Sequence, residues 1–230
     1  VTRNDFIESL KIPMPGVPSG WNLRFNIIQE SVAKNFESKK SFIIMSPRQT
    51  GRLLSIITNL MYELHFKDCK DTIVIARSIN DARHFGRRFS EILALNSHIY
   101  NIKITSNKIL NDIDQVVSFK TASMVQKLSK KERHGKRLII TDAAYIDDST
   151  PLYKLIDGWD VVIMETIPAP LDKFNSTFFK ALIDFNGLAL FNIIKHNYKE
   201  VGLNDTWMEE QKEVFGNTAL FRREILLEWI

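Results

Sequence analysis

The chain has 230 residues, 44% of them hydrophobic and 25% charged, a globular balance that excludes disordered and collagen-like chains. Its net charge of +4 permits an anionic partner without requiring one. A single cysteine, Cys69, excludes a disulfide framework and a cysteine-based zinc site. The length suffices for one large domain, or one domain with an appendage. Apolar runs such as Gly187-Leu-Ala-Leu-Phe191 are too short to cross a bilayer, and residues 1–5 hold no signal-peptide core. A soluble intracellular protein is expected.

Pro13, Pro15 and Pro18 with Gly16 and Gly20 predict an irregular arm over residues 1–20. Helical spacing follows over 23–36, with Ile27, Ile28, Val32 and Phe36 on one face. A buried strand is expected at 42–45 and a helix at 51–66 that is apolar on more than one stripe. The run 71–76 has the character of a parallel-sheet strand. The helix expected at 80–95 carries Arg83, Arg87 and Arg88 on its outer face. Alternation predicts half-exposed strands at 99–105 and 115–119, a short helix at 122–128 and a basic loop at 127–137. Strands are expected at 138–141, 160–166 and 188–194, and helices at 152–156, 172–185, 205–215 and 218–229. No repeat or low-complexity tract is present.

Short apolar strands alternating with helices predict an α/β fold, a mainly parallel sheet with helices on both faces. In such sheets ligands sit beyond the carboxyl ends of the strands. Three polar segments fall there: the turn after Met45, Asp142 after Thr141, and Glu165-Thr166 after Met164.

The stretch Ser41-Phe-Ile-Ile-Met-Ser-Pro-Arg-Gln-Thr-Gly-Arg-Leu-Leu-Ser55 is strand, polar turn and helix start, the layout of a phosphate-binding loop. Against the usual G-x-x-x-x-G-K-[ST], Ser46 stands at the first glycine and Gly51 is kept. Arg52 replaces lysine, and Leu53 replaces the hydroxyl residue. An ordinary strand-turn-helix is the alternative. In Arg137-Leu-Ile-Ile-Thr-Asp-Ala-Ala-Tyr145 a hydrophobic strand closes on an acidic residue, an arrangement that holds Mg²⁺ against a nucleotide. The next position, where many such ATPases keep a glutamate, is Ala143.

Taken in order, these segments resemble the ATPase (motor) domain of the large terminase subunit of tailed bacteriophages, which packages double-stranded DNA. Leu23-Arg24 through Gln29 is similar to the family's adenine-contacting glutamine segment, and Ser46-Pro-Arg-Gln-Thr-Gly51 to its S-R-Q-x-G-K-T turn. Leu138–Tyr145 is similar to its acidic strand h-h-h-h-D-E-x-A-F/Y, the run 161–168 to its coupling strand, and Leu220-Phe-Arg-Arg-Glu224 to its F-R-x-E segment.

The resemblance implies a P-loop NTPase fold of the ASCE type over residues 21–230, after an arm at 1–20. It implies ATP held by Gln29, Ser46, Pro47, Gln49, Thr50, Gly51 and Arg52, and Mg²⁺ at Asp142. Arg48 matches the catalytic arginine, and Glu165 is the one carboxylate placed to replace the lost glutamate. The implied partners are double-stranded DNA, a portal protein and a small terminase subunit, in a homo-oligomeric ring in the host cytoplasm. The family's nuclease domain has no counterpart in residues 1–230.

Arginine is not a conservative substitute for lysine in a tight loop, and loss of a water-positioning carboxylate costs roughly 10²–10⁴ in rate. A weakened or inactive ATP site is therefore expected. The alternative is a catalytically silent scaffold that binds DNA, a portal or an active paralogue.

For single residues, simpler readings stand beside these. Gln29 is an adenine contact or an exposed amide; Arg48 is catalytic or a loop cation; Asp142 binds metal or caps the segment after its strand. Lys130, Lys131, Arg133, Lys136 and Arg137 track a DNA backbone or form a solvated charge run.

Overall fold

The computed structural model describes residues 1–14, 16–23 and 26–230; Pro15 and Arg24, named above, lie outside them. In chain order the elements are α1 (Arg3–Ser9), β1 (Lys11–Met14), β2 (Val17–Asn22), α2 (Ile27–Glu37), β3 (Phe42–Met45), α3 (Arg52–His65), β4 (Thr72–Ile75) and α4 (Ile79–Leu95). There follow β5 (Ile102–Ile104), β6 (Lys108–Asn111), β7 (Val116–Phe119), α5 (Ala122–Gln126), α6 (Lys130–Arg133), β8 (Arg137–Thr141) and α7 (Leu152–Ile156). The chain closes with β9 (Val161–Thr166), α8 (Phe174–Asp184), β10 (Asn192–Lys195), α9 (Asp205–Phe215) and α10 (Ala219–Glu224).

Among the described residues one large sheet has the order β10-β3-β9-β8-β4-β7-β6-β5. From β10 to β7 every pairing is parallel; β6 and β5 extend the edge antiparallel. β3, β4, β8 and β9 are buried at every residue because helices cover both faces. Side chains alternate between two cores, as the two-residue period requires. Phe42 and Ile44 of β3, Ile139 of β8 and Ile163 of β9 face one core, with α1 to α4. Ile43, Ile140 and Met164 face the other, with α7 and α8. This is an α/β fold of P-loop NTPase type. The strand carrying Glu165, β9, is inserted between β3, which feeds the polar turn, and β8, which ends before Asp142. That insertion brings the three polar segments to one sheet edge.

The arm expected at 1–20 is ordered instead. Thr2 caps α1 reciprocally with Asp5, and Phe6, Ile7 and Leu10 enter the first core. β1 and β2 then pair antiparallel. Strand β6 was not expected, and β10 starts at Asn192 because residues 186–189 form a 3-10 turn with Gly187 and Leu188 at positive φ.

An ion cluster is buried where α1, α3 and β8 meet. Glu63 is fully buried and takes both Arg137 terminal nitrogens, at 2.7 and 3.2 Å, while Arg3 approaches it at 3.5 Å. Arg3 also donates to Asn59, at 3.1 Å. Among the described residues no helix is long and apolar enough to cross a membrane.

Candidate functional site

The turn between β3 and α3 is closed on itself. Thr50 Oγ1 lies 2.7 Å from Ser46 Oγ and donates to the Pro47 carbonyl at 2.7 Å. Gly51, the N-cap of α3, has φ +89°, and a Cβ there would stand 2.9 Å from Nε2 of Gln29. Only glycine suits that conformation and that contact. No side chain caps α3, so its N-terminal dipole opens toward the cleft above the turn.

Behind the turn, α2 holds it in place. The Asn26 N–H donates to Gln29 Oε1 at 2.7 Å, a capping box, and Asn26 Nδ2 donates to the Thr50 carbonyl at 3.3 Å. Gln29 is buried, so the exposed-amide reading fails; its oxygen serves the cap and its nitrogen backs Gly51.

A cleft of about 520 Å³ lies over the turn, between α3, α4 and the ends of β8 and β9. Arg48, Gln49, Thr50, Gly51, Arg52, Asp142 and Glu165 all line it. Ser46 and Pro47 are buried beneath it, and Gln29 stands behind. α4 adds His84 and Arg88, which the sequence reading did not place here. The basic outer face of that helix was the available signal.

Arg52 is folded into the sheet edge. One terminal nitrogen donates to the carbonyls of Ser46 (2.6 Å) and Thr166 (2.7 Å), and Nε lies 3.2 Å from Glu165. The guanidinium thus braces β3 against β9. Glu165 also accepts the Asp142 N–H at 3.3 Å. Burial raises the Glu165 carboxyl above the ordinary range; Arg52 opposes the shift and Asp142 adds to it.

Asp142 sits in the left-handed region, φ 50°, and lines the cleft, whereas Ala143 is fully buried in the second core. On the rim, Arg48 pairs with Glu224 of α10 at 2.9 Å. Tyr145 donates to the Pro168 carbonyl, and burial raises its phenol.

The basic loop divides. Arg133 is buried and donates to the carbonyls of Lys154, Asp157, Val125 and Gln126. Arg137 belongs to the Glu63 cluster. Neither leaves a guanidinium free for a DNA backbone, because each satisfies protein acceptors that burial would otherwise orphan. Lys130 and Lys131 are exposed and Lys136 half-buried.

Magnesium takes hard oxygen ligands, in P-loop sites a hydroxyl and an aspartate beside the phosphates. Here Leu53 offers no oxygen and Glu165 is held by Arg52, leaving Asp142 as the one carboxylate not so held. Among the described residues no three His, Cys, Asp or Glu side chains are grouped to hold a metal. The cleft keeps the carboxylate of Asp142 but lacks the hydroxyl expected after Arg52, an incomplete donor set for Mg²⁺.

No family model and no curated protein matches the sequence. Solved structures do match. The bacteriophage HK97 large terminase superposes with a TM-score of 0.69 at 17% identity, over 99% of this chain and 54% of its own. The ATPase domain of the Thermus phage P74-26 large terminase gives 0.60 at 15% identity, over 90% of this chain and 94% of that domain. This chain has the fold of a large-terminase ATPase domain. A thermophilic-bacteriophage large terminase gives 0.65 at 13% identity over 90% of this chain and 54% of its own, so the chain spans about half of such full-length terminases. That terminase has also been solved with ADP and with ATP-gamma-S. This chain also superposes on the UvsW helicase of bacteriophage T4, with a TM-score of 0.53 at 14% identity, over 84% of this chain and 65% of that one.

Proposed function

We propose that residues 21–230, with the ordered N-terminal segment packed on them, form a packaging-motor domain of the terminase kind whose cleft binds polyphosphate but turns over ATP poorly. The brace formed by Arg52 carries this reading. The cation at the phosphate-binding position is spent on two carbonyls and on Glu165, so the charge that would cradle the outer phosphates and the spare carboxylate neutralise each other.

The burial of Ala143 also resets the acidic strand. With Ala144-Tyr145 in the last two places of D-E-x-A-F/Y, Asp142 takes the glutamate position and Thr141 the metal-binding aspartate position. Asp142 then lines the cleft as the water-positioning carboxylate, one methylene short, and Arg48 would meet charge on a transferring phosphate only by leaving its pair with Glu224.

The expected setting is that of the resembled motors: double-stranded DNA, a portal, a small subunit and a ring of copies in the host cytoplasm. Lys130, Lys131 and Lys136 are the loop residues left to meet DNA. The test is Mg²⁺-ATP turnover by the purified chain. Turnover below background supports the reading, and a rate above about 1 s⁻¹, the low end of ordinary enzymes, overturns it. The variant Arg52→Lys/Leu53→Thr/Thr141→Asp/Asp142→Glu is expected to gain activity.

A further inference from the structure

We propose that the groove between α4 and the β5–β6 hairpin binds the phosphodiester backbone of DNA, by charge and without reading bases. The inference rests on the DNA partner proposed above and gives it a contact surface outside the 127–137 loop. It is independent of turnover in the cleft.

The groove, about 310 Å³, is lined by Arg83, Arg87 and Ser90 of α4 and by Thr105 and Ser106 of the hairpin turn. No carboxylate lines it. Gly86 lets the helix approach β7 this closely, since a Cβ there would stand 2.8 Å from the Phe119 ring.

The two arginines are set apart from their neighbours. Arg77 is paired with Asp81, and Arg88 with Glu91. Among the described residues Arg83 and Arg87 form no ion pair. They stand four residues apart on one helix face, the spacing at which like charges repel. An anion held between them turns that repulsion into attraction.

Arg83 is also held in place. Its Nε and Nη2 donate to Asn107 Oδ1 at 3.3 and 2.9 Å, and the Asn107 carbonyl accepts the Phe119 N–H at 3.1 Å. A guanidinium carries five N–H donors, so this neutral partner leaves others for a ligand. Arg87 reaches His84 Nδ1 at 3.5 Å. Two such forks beside hydroxyl groups suit phosphate oxygens. Lys103 and Lys108, exposed on the same hairpin, carry the positive charge beyond the groove, which suits a polymer better than a single anion. The neighbouring face of α4 brings His84 and Arg88 to the phosphate cleft, so one helix separates the two sites.

The test is fluorescence anisotropy of a labelled duplex of about 20 bp with the intact chain, at salt from roughly 50 to 200 mM. Arg83→Gln/Arg87→Gln is expected to lose about tenfold in affinity at the lowest salt, and to flatten the slope of log affinity against log salt by about 2, as two lost phosphate contacts require. Arg83→Lys/Arg87→Lys, which keeps the charge, is expected to keep the slope.

An unchanged slope in the glutamine variant, or a loss no greater than that of Lys131→Ala/Lys136→Ala, overturns the proposal while the DNA reading stands. Absence of duplex binding by the wild type overturns both. Tripolyphosphate at matched phosphate concentration and ionic strength is expected not to displace the duplex, and displacement overturns the assignment to a polymer backbone. Should the double variant unfold, Arg87→Gln alone leaves the Arg83–Asn107 contact intact and is expected to flatten the slope by about 1. An unchanged slope there overturns the proposal as well.

Discussion

Arg48 and Glu224, 176 residues apart by number, are joined twice. The guanidinium lies 2.9 Å from the carboxylate and the Arg48 N–H donates to the Glu224 carbonyl at 3.0 Å. The β3–α3 turn and α10 are thereby tied together by backbone and side chain. Glu224 is nearly buried while Arg48 is half exposed, so the side-chain pair is partly screened.

Arg48→Ala keeps the backbone bond and removes the ion pair. It is expected to cost no more than about 1 kcal/mol of global stability. Amide exchange over residues 219–226 should nevertheless quicken, because α10 loses its side-chain tether. Unchanged exchange there would mean that the backbone bond alone fixes the helix.

How much of this was legible in the sequence depended on the length and period of each element. The four buried strands announced themselves as apolar runs, since burial on both faces leaves no polar alternation to confuse them. α1 was missed because a seven-residue helix beside Pro13 and Gly16 carries less periodic signal than its neighbours carry turn signal. The turn, Asp142 and Glu165 were placed on one edge correctly, because strand ends are readable. The direction of a side chain after a strand is not: Ala143 is buried in the second core while Asp142 lines the cleft. Nor does composition separate Arg133 and Arg137, which are buried, from the exposed lysines beside them; their partners, Glu63 and the α5 and α7 carbonyls, come from elsewhere in the chain.

Glu63 holds the first core together by charge. It is fully buried, receives Arg137 bidentately and lies 3.5 Å from Arg3. Both arginines also stack on aromatic rings, Arg137 over Phe36 at 4.9 Å and Arg3 over Tyr62 at 4.5 Å. Glu63→Ala leaves two guanidinium groups buried without a counter-charge, and the expected loss is about 3–5 kcal/mol. That is a large share of the roughly 5–15 kcal/mol that holds a domain folded. Urea unfolding monitored by circular dichroism measures it, and a loss below about 1 kcal/mol would show that the rings and Asn59 suffice.

Ala143→Glu separates the two registers of the acidic strand. Ala143 is fully buried in the second core, to which Ile140, Leu152 and Phe179 also belong, so a carboxylate there enters an apolar core. The expected effect is a loss of about 3 kcal/mol or more, the scale of an unpaired buried charge, with no gain in ATP turnover. Turnover gained at unchanged thermal midpoint would instead put a glutamate at 143 in reach of the cleft, and Asp142 would return to the metal-binding position.

Glu165 ties the cleft to pH. Its carboxyl is raised above the ordinary 4.5 chiefly by burial, against the pull of Arg52 and with a push from Asp142. The native state therefore keeps this proton to a higher pH than the unfolded chain does. Between the two values the native state binds more protons, so the contribution to stability falls as pH rises and levels off above the native pKa. Glu165→Gln has no proton to release. The unfolding free energy of the wild type minus that of Glu165→Gln should thus decline as the pH rises above the ordinary carboxylate range and then level off, measured by urea titration at each pH. A difference that rises with pH would mean that attraction to Arg52 outweighs burial, and that the brace is held by charge and not merely by its two carbonyls.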